Sequence, residues 1–231
     1  VAVIAEDRLA EDTGCAFFDA DGDGDKDLYV ASGGNDFSSS SEGLLDRLYL
    51  NQDGQWTRSG GLGGVTRFAP TGVVAPADWD GDGDMDLFIG ERLRPFAYGF
   101  PVDGRLLAND GQGRFRDVTG QWAPGLEAAG LLRAGRWVDL DSDGDKDLVV
   151  GGEWMPIRVF TNQLAESGQP RLTETTGQAG LAGTHGWWNR LLVADLDSDG
   201  DQDLIGLNHG LNSRFEASPE RPASLQVGDF D

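Results

Sequence analysis

Four times along this chain an apolar run is preceded by nine residues in which every odd position is aspartate. The strings are Asp19-Ala-Asp-Gly-Asp-Gly-Asp-Lys-Asp27, Asp78-Trp-Asp-Gly-Asp-Gly-Asp-Met-Asp86, Asp139-Leu-Asp-Ser-Asp-Gly-Asp-Lys-Asp147 and Asp195-Leu-Asp-Ser-Asp-Gly-Asp-Gln-Asp203, and leucine follows each one. Five carboxylates packed this closely repel one another unless a cation sits among them. Oxygen donors at this density suit calcium, which accepts six to eight of them in flexible geometry. The alternative, a solvated acidic turn, explains a single Asp-Gly-Asp but not four copies in phase with an apolar pattern. The sequence therefore predicts about four Ca2+ sites, formed by Asp19, Asp21, Asp23, Asp25 and Asp27; Asp78, Asp80, Asp82, Asp84 and Asp86; Asp139, Asp141, Asp143, Asp145 and Asp147; and Asp195, Asp197, Asp199, Asp201 and Asp203. It also predicts a modular fold.

Glycine stands at the sixth position of every string (Gly24, Gly83, Gly144, Gly200), where a loop wrapping an ion must reverse sharply. By analogy with the EF-hand, positions 1, 3 and 5 offer side-chain oxygens and position 7 its carbonyl, and the aspartate at position 9 closes the shell. The glutamate that an EF-hand carries at position 12 is replaced by Val30, Ile89, Val150 and Gly206, so a shorter loop is encoded.

The first aspartates are 59, 61 and 56 residues apart. Apolar segments lead into each loop (Ala16–Phe18, Val73–Ala75, Arg136–Val138, Leu191–Ala194) and out of it (Leu28–Ala31, Leu87–Ile89, Leu148–Val150, Leu204–Ile205). Such runs, bounded by Asp and Gly, read as strands. Hairpin signals follow at 48–57 and 106–115, with a looser version from Arg158 through Gly168 to Leu172. The expected fold is an all-β propeller of four-stranded antiparallel blades, about four in residues 1–231 treated as one domain. A β-sandwich is the alternative, but it leaves the period unexplained.

The Asp-x-Asp-x-Asp-Gly-x-x-Asp-Leu motif, followed by Val-Ala-Ser-Gly-Gly or Val-Gly-Gly-Glu-Trp, resembles the FG-GAP/VCBS repeat of integrin α-subunit propellers. Gly152-Glu-Trp-Met-Pro-Ile157, Gly186-Trp-Trp-Asn189 and Asn208-His-Gly-Leu-Asn-Ser213 are similar to bacterial VCBS-repeat proteins akin to cartilage acidic protein. In those, a propeller commonly precedes an ASPIC/UnbV domain, for which residues 1–231 hold no counterpart. The resemblance implies seven blades in a closed ring. With a truncated fifth motif at 229–231, 34 residues after Asp195, the expectation is a segment of a longer propeller, or else open blade edges that self-associate.

The chain carries 40 acidic and 18 basic residues, a formal net charge of −22; four calcium ions would still leave −14. Nucleic acid and anionic membranes are poor partners for such a surface. No apolar stretch has the length of a membrane span, and Val1–Glu6 is too short for a signal peptide. Cys15 is the sole cysteine and is expected to be a small buried residue. Loops of this sort suit millimolar calcium, so a secreted, cell-surface or periplasmic location is expected.

In an up-down blade the calcium loops share one end. The opposite end collects loops bearing Arg92, Arg94, Phe96, Tyr98, Phe100, Trp154, His185, Trp187, Trp188 and His209, a candidate face for a protein or carbohydrate ligand. At least one of Trp187 and Trp188 is expected to be buried between blades. No nucleophile elbow, His-Glu-x-x-His or phosphate loop occurs. The reading is a non-catalytic, calcium-stabilised extracellular binding or adhesion scaffold. The alternatives are a structural subunit of a surface assembly, or a calcium-dependent polysaccharide lyase or hydrolase using His185 or His209 as base beside Arg92.

Overall fold

The computed structural model describes residues 2–228 apart from 9, 37, 39, 66, 211–216 and 219. Asp229 and Asp231 of the fifth motif and Leu211 to Ser213 of the Asn208 phrase lie outside the described residues.

The apolar runs form strands where alternation predicts them. β1 (Asp12–Phe18), β2 (Asp27–Ser32), β3 (Arg47–Gln52) and β4 (Gln55–Arg58) make one antiparallel sheet in that order. β5 (Thr71–Ala77), β6 (Asp86–Glu91), β7 (Gly104–Asn109) and β8 (Phe115–Asp117) make a second. The third is β9 (Leu131–Val138), β10 (Asp147–Met155), β11 (Arg158–Thr161) and β12 (Thr173–Glu174). The fourth repeat contributes two strands among the described residues rather than four, β13 (Gly186–Ala194) and β14 (Asp203–Asn208). Glu153 and Met155 of β10 pair with Trp187 and Gly186 of β13, joining these two repeats into one sheet. Among the described residues, helix is limited to short turns such as Thr119–Trp122 and Leu164–Ser167.

Every acidic string is the turn between the first and second strands of its repeat. The pairs Phe18–Asp27, Ala77–Asp86, Val138–Asp147 and Ala194–Asp203 close all four turns at the same register. Asp53 and Gly54 both take positive φ, 51° and 84°, at the tight turn between β3 and β4. That is the turn whose twist matches its flanking strands.

The first strands β1, β5, β9 and β13 stand side by side in that order, and the cores lie between successive sheets. Period-two alternation decides which side chain enters which core. On β6, Leu87 and Ile89 face the first sheet, packing with Tyr29, Leu48 and Leu107. Phe88 between them faces the third sheet, with Leu106, Leu132, Leu148 and Phe160. A third core holds Val149, Ile157 and Leu191, with Trp188 against it. Gly135 on β9 lets Phe88 approach, since a Cβ there would lie 2.7 Å from its ring. At the end away from the acidic turns, buried Asp46 accepts bonds from Ser32 N–H (2.8 Å), the Tyr29 hydroxyl (2.7 Å) and the Thr71 hydroxyl (2.8 Å), tying the first two sheets together.

The outer faces of the first and fourth repeats have no covering sheet among the described residues. Phe17 is 54 % exposed, Leu192 45 % and Leu207 47 %. Cys15 shares the outward face of β1 with Phe17 and is exposed, contrary to expectation. Alternation turns Ala16 and Phe18 inward, and Cys15 falls on the other parity.

Phe88 fills the space between the second and third sheets, and its loss would leave a cavity there. Phe88→Ala is expected to cost about 3–5 kcal/mol in denaturant unfolding, with metal content per molecule unchanged.

Candidate metal centres and ligand face

Each acidic loop is organised by its own carboxylates before any ion is considered. In the first loop, Asp19 accepts the N–H groups of Gly22 (2.8 Å) and Gly24 (2.9 Å), and Asp23 accepts that of Asp25 (2.8 Å). The same position-1 and position-5 bonds recur at Asp78 and Asp82, and at Asp195 and Asp199. In the third loop, Asp139 accepts from Gly144 and Asp143 from Asp145. Two backbone reversals are used rather than the single one expected. Position 6 is glycine with φ of 93–97°, and position 4 also has positive φ, as Gly22, Gly81, Ser142 and Ser198.

Within every loop a set of carboxylates converges. Asp19, Asp21 and Asp27 bring oxygens within 4.8 Å of one another, as do Asp139, Asp141 and Asp147; in the other two loops the sets are Asp78, Asp80, Asp82 and Asp195, Asp197, Asp199. Glu166, from the helical turn between β11 and β12, joins Asp141 and Asp143 in a further set. Sequence reasoning missed Glu166, because it lies on a different turn of the repeat; its one signal is an acid at the point where the third hairpin departs from the other two. The position-7 residues Asp25, Asp84, Asp145 and Asp201 enter none of these sets among the described residues. Two of them instead brace the neighbouring turn: Asp25 accepts Asp53 N–H (2.7 Å), and Asp145 accepts Ala165 N–H (2.9 Å).

Three of the position-9 aspartates, Asp27, Asp86 and Asp147, are buried, and Asp203 is half-buried. Asp27 accepts Ala20 N–H (2.7 Å) from its own loop and Asn51 N–H (2.8 Å) from the third strand. Asp147 does the same with Leu140 (2.9 Å) and Asn162 (2.8 Å). Asp86 accepts Asn109 N–H (2.8 Å). The asparagine side chains then cross between repeats. Asn109 Nδ2 donates to Met85 O (3.0 Å) in its own loop and to Ala20 O (2.8 Å) in the preceding one. Asn162 Nδ2 reaches Trp79 O (2.8 Å) of the second loop in the same way.

The donor set fits a cation. Asp21 Oδ1, Asp86 Oδ2, Asp139 Oδ1 and Asp145 Oδ1 are buried and have no hydrogen-bond partner among the described residues. Burial pushes Asp86 up to about 8 and Asp147 up to about 6. Burial, followed by the neighbouring carboxylates, also raises Asp21, Asp80 and Asp141. Carboxylates that resist ionising this strongly are those that a bound cation would relieve.

At the opposite end the anticipated face is partly assembled. Tyr98 donates its hydroxyl to Glu153 and accepts Trp154 Nε1 (2.9 Å). Trp154 packs against Trp187 at 5.7 Å between ring centroids, and Trp187 against His209 at 5.5 Å. Arg94 lies over the Phe100 ring at 5.6 Å. Phe96 is 77 % exposed and takes φ of 60°. Trp187 and Trp188 are both half-buried rather than one being wholly buried; Trp188 packs on the third core and donates to Thr184 O (2.9 Å). His185 is exposed and takes no part in the ring contacts. Arg92 is half-buried and lines a cavity with Arg133 and Arg190, two arginines that sequence reasoning missed. Their signal was a basic residue inside an apolar first strand, as in Leu131-Leu-Arg-Ala-Gly-Arg-Trp-Val138.

The profile of the FG-GAP-like repeat matches residues 12–89 and 139–206. The chain belongs to the FG-GAP-like repeat family. The first stretch takes in two acidic turns with strands on both sides of each; the second begins at Asp139, just after β9, and takes in the other two turns, of which only 195–203 has strands on both sides within the match. No curated protein matches the sequence. Among solved structures, rhamnogalacturonan lyase PL11 of Bacillus licheniformis is similar with a TM-score of 0.47 and 16 % identity, over 86 % of this chain and 41 % of that one. The chain thus spans less than half the length of that protein.

Within the third loop the positions are not equivalent. Asp147→Ala should abolish metal binding at that loop, as should Asp139→Ala, whereas Asp145→Asn should retain it. Metal content of the purified variants checks this, with one ion lost in the first two and none in the third. Asn162→Ala leaves Trp79 O unbonded and should destabilise the fold by about 1–3 kcal/mol in thermal or urea melts.

Proposed function

We propose that this FG-GAP-like chain is a calcium-stabilised, non-catalytic scaffold of β-propeller type that works outside the cytosol in binding or adhesion. The observation that carries this reading is the pair of duties borne by the loop carboxylates. They hold backbone N–H groups of the loop and of the third strand, while other oxygens are left buried and unbonded. Calcium would take its ligands from positions 1, 3, 5 and 9 and the carbonyl of position 7, with Glu166 added in the third loop. Bound there, it supplies charge neutralisation that lets the carboxylates remain ionised while buried. Each repeat would then be one blade, with first strands innermost.

Support for a binding role is the contrast between the two ends. One is given over to nearly identical acidic turns. The other carries dissimilar loops with exposed Phe96, Tyr98 and Phe100 and the ring series Trp154, Trp187 and His209. A base for catalysis finds little support: His209 packs on Trp187, and neither His185 nor His209 lines the arginine cavity. Among the described residues no helix is long and apolar enough to cross a membrane.

A second reading, a structural subunit of an assembly, is favoured by the apolar outer faces carrying Phe17, Leu192 and Leu207. Mass measurement in solution separates them, since a monomer at high concentration counts against assembly.

Excess chelator is expected to lower the melting temperature strongly, calcium to restore it and magnesium to restore it poorly, because magnesium demands a small octahedral shell. An unchanged melt in chelator would overturn the calcium reading. Phe96→Ala with Phe100→Ala should leave melting in calcium nearly unchanged while removing retention on immobilised ligand. Unfolding of that variant would place the aromatic loop in the core instead.

A further inference from the structure

The cavity at the end away from the acidic turns is built from the four adjacent first strands. Thr13 of β1, Gly72 of β5, Arg133 of β9 and Asn189 and Arg190 of β13 line it, with Arg92 entering from the end of β6, around a volume of about 260 Å3. In a chain with more than twice as many acids as bases, three of the arginines meet here. Arg136 stands further along β9, close enough to Arg190 that burial and the Arg190 charge together lower its proton affinity.

These charges are not consumed by the fold. Among the described residues, Arg92, Arg136 and Arg190 take part in no ion pair. Arg133 alone is paired, with Glu153 at 2.5 Å, and Glu153 also receives the Tyr98 hydroxyl. Arg92 Nε is buried with no hydrogen-bond partner among the described residues. Like charges held this close repel, and an unbonded buried guanidinium N–H is costly. An anion with several acceptor oxygens in the space would relieve the repulsion.

We propose that this cavity binds the carboxylate of a hydroxylated ligand of sugar-acid size. The planar guanidinium fork matches a carboxylate in two-point contact, which favours this group over a bare charge. The volume exceeds what a carboxylate alone needs. The neutral partners at its wall, the Asn189 amide and the Thr13 hydroxyl, suit sugar hydroxyls: Asn189 offers both a donor and an acceptor, and Thr13, which donates to Thr71 O (2.6 Å), keeps acceptor capacity. Gly72 has no side chain to intrude. The site rests on the reading of this end as the ligand face, but it is distinct from the aromatic loop and from the metal loops.

The test is titration of the calcium-loaded chain at low ionic strength with D-glucuronate, D-glucose and acetate, followed by calorimetry and by shifts of the Asn189 and arginine side-chain N–H signals. Glucuronate should bind saturably and at least about tenfold more tightly than glucose or acetate, and weaken with added salt. Arg190→Met, at an exposed position, and Arg92→Lys, which keeps the charge but loses the fork, should each weaken glucuronate by about tenfold or more. Melting in calcium and bound calcium should not change in either variant. Equal binding of glucuronate and glucose, equal binding of glucuronate and acetate, or full affinity in both variants would overturn the proposal. Lost glucuronate binding with calcium content intact bears on the cavity alone, whereas lost calcium in the native chain bears on the scaffold reading.

Discussion

A buried aspartate at the ninth position of the acidic loop is the joint on which this structure depends. Asp27 and Asp147 sit at the first residue of a second strand and hold two backbone N–H groups each, one from the loop behind and one from the third strand beside it. Apolar packing alone would not position a carboxylate there. A buried carboxylate is expensive unless it is bonded or paired. The two N–H groups offset part of that cost, yet burial still pushes Asp147 up to about 6. A cation would offset the rest. On this account the metal loop is part of the sheet's own hydrogen bonding rather than an ornament on a turn.

The asparagine at the end of the third strand extends the joint sideways. Asn109 and Asn162 bond through their backbone to the ninth aspartate of their own repeat and through their side chains to the loop of the preceding one. A change in one loop is therefore felt by its neighbour through two hydrogen bonds. At the other end, Asp46 ties the first two sheets together, and the first strands bring their arginines to a shared cavity. Acidic turns at one end and a basic hollow at the other separate charge along the molecule, which accounts for how so acidic a chain can present an anion site.

Much of this was legible in the residues because it is local. The strands flanking each loop, the tight turn at Asp53-Gly54 and the special backbone at position 6 all follow from contacts a few residues apart. What was not legible depends on apposition across repeats. Asn109 meets Ala20 and Asn162 meets Trp79 over more than eighty residues. Glu166 reaches Asp141 from a separate turn, and Arg92, Arg133 and Arg190 come together only once four first strands lie abreast. Cys15 misleads because its apolar neighbours suggest burial, whereas alternation puts it on the uncovered face of β1. The second reversal of each loop is only half visible, since Ser142 and Ser198 do not advertise positive φ as glycine does.

The central claim is that the ion and the ninth aspartate form one unit with the backbone. Hydrogen exchange of the amides of Ala20, Asn51, Asn109, Leu140 and Asn162, compared in calcium and in chelator, addresses it directly. The account predicts that these five amides lose protection together on chelation, earlier and by more than the amides of Leu148 to Val150 in the middle of β10. Equal protection of the five amides in both conditions would contradict it.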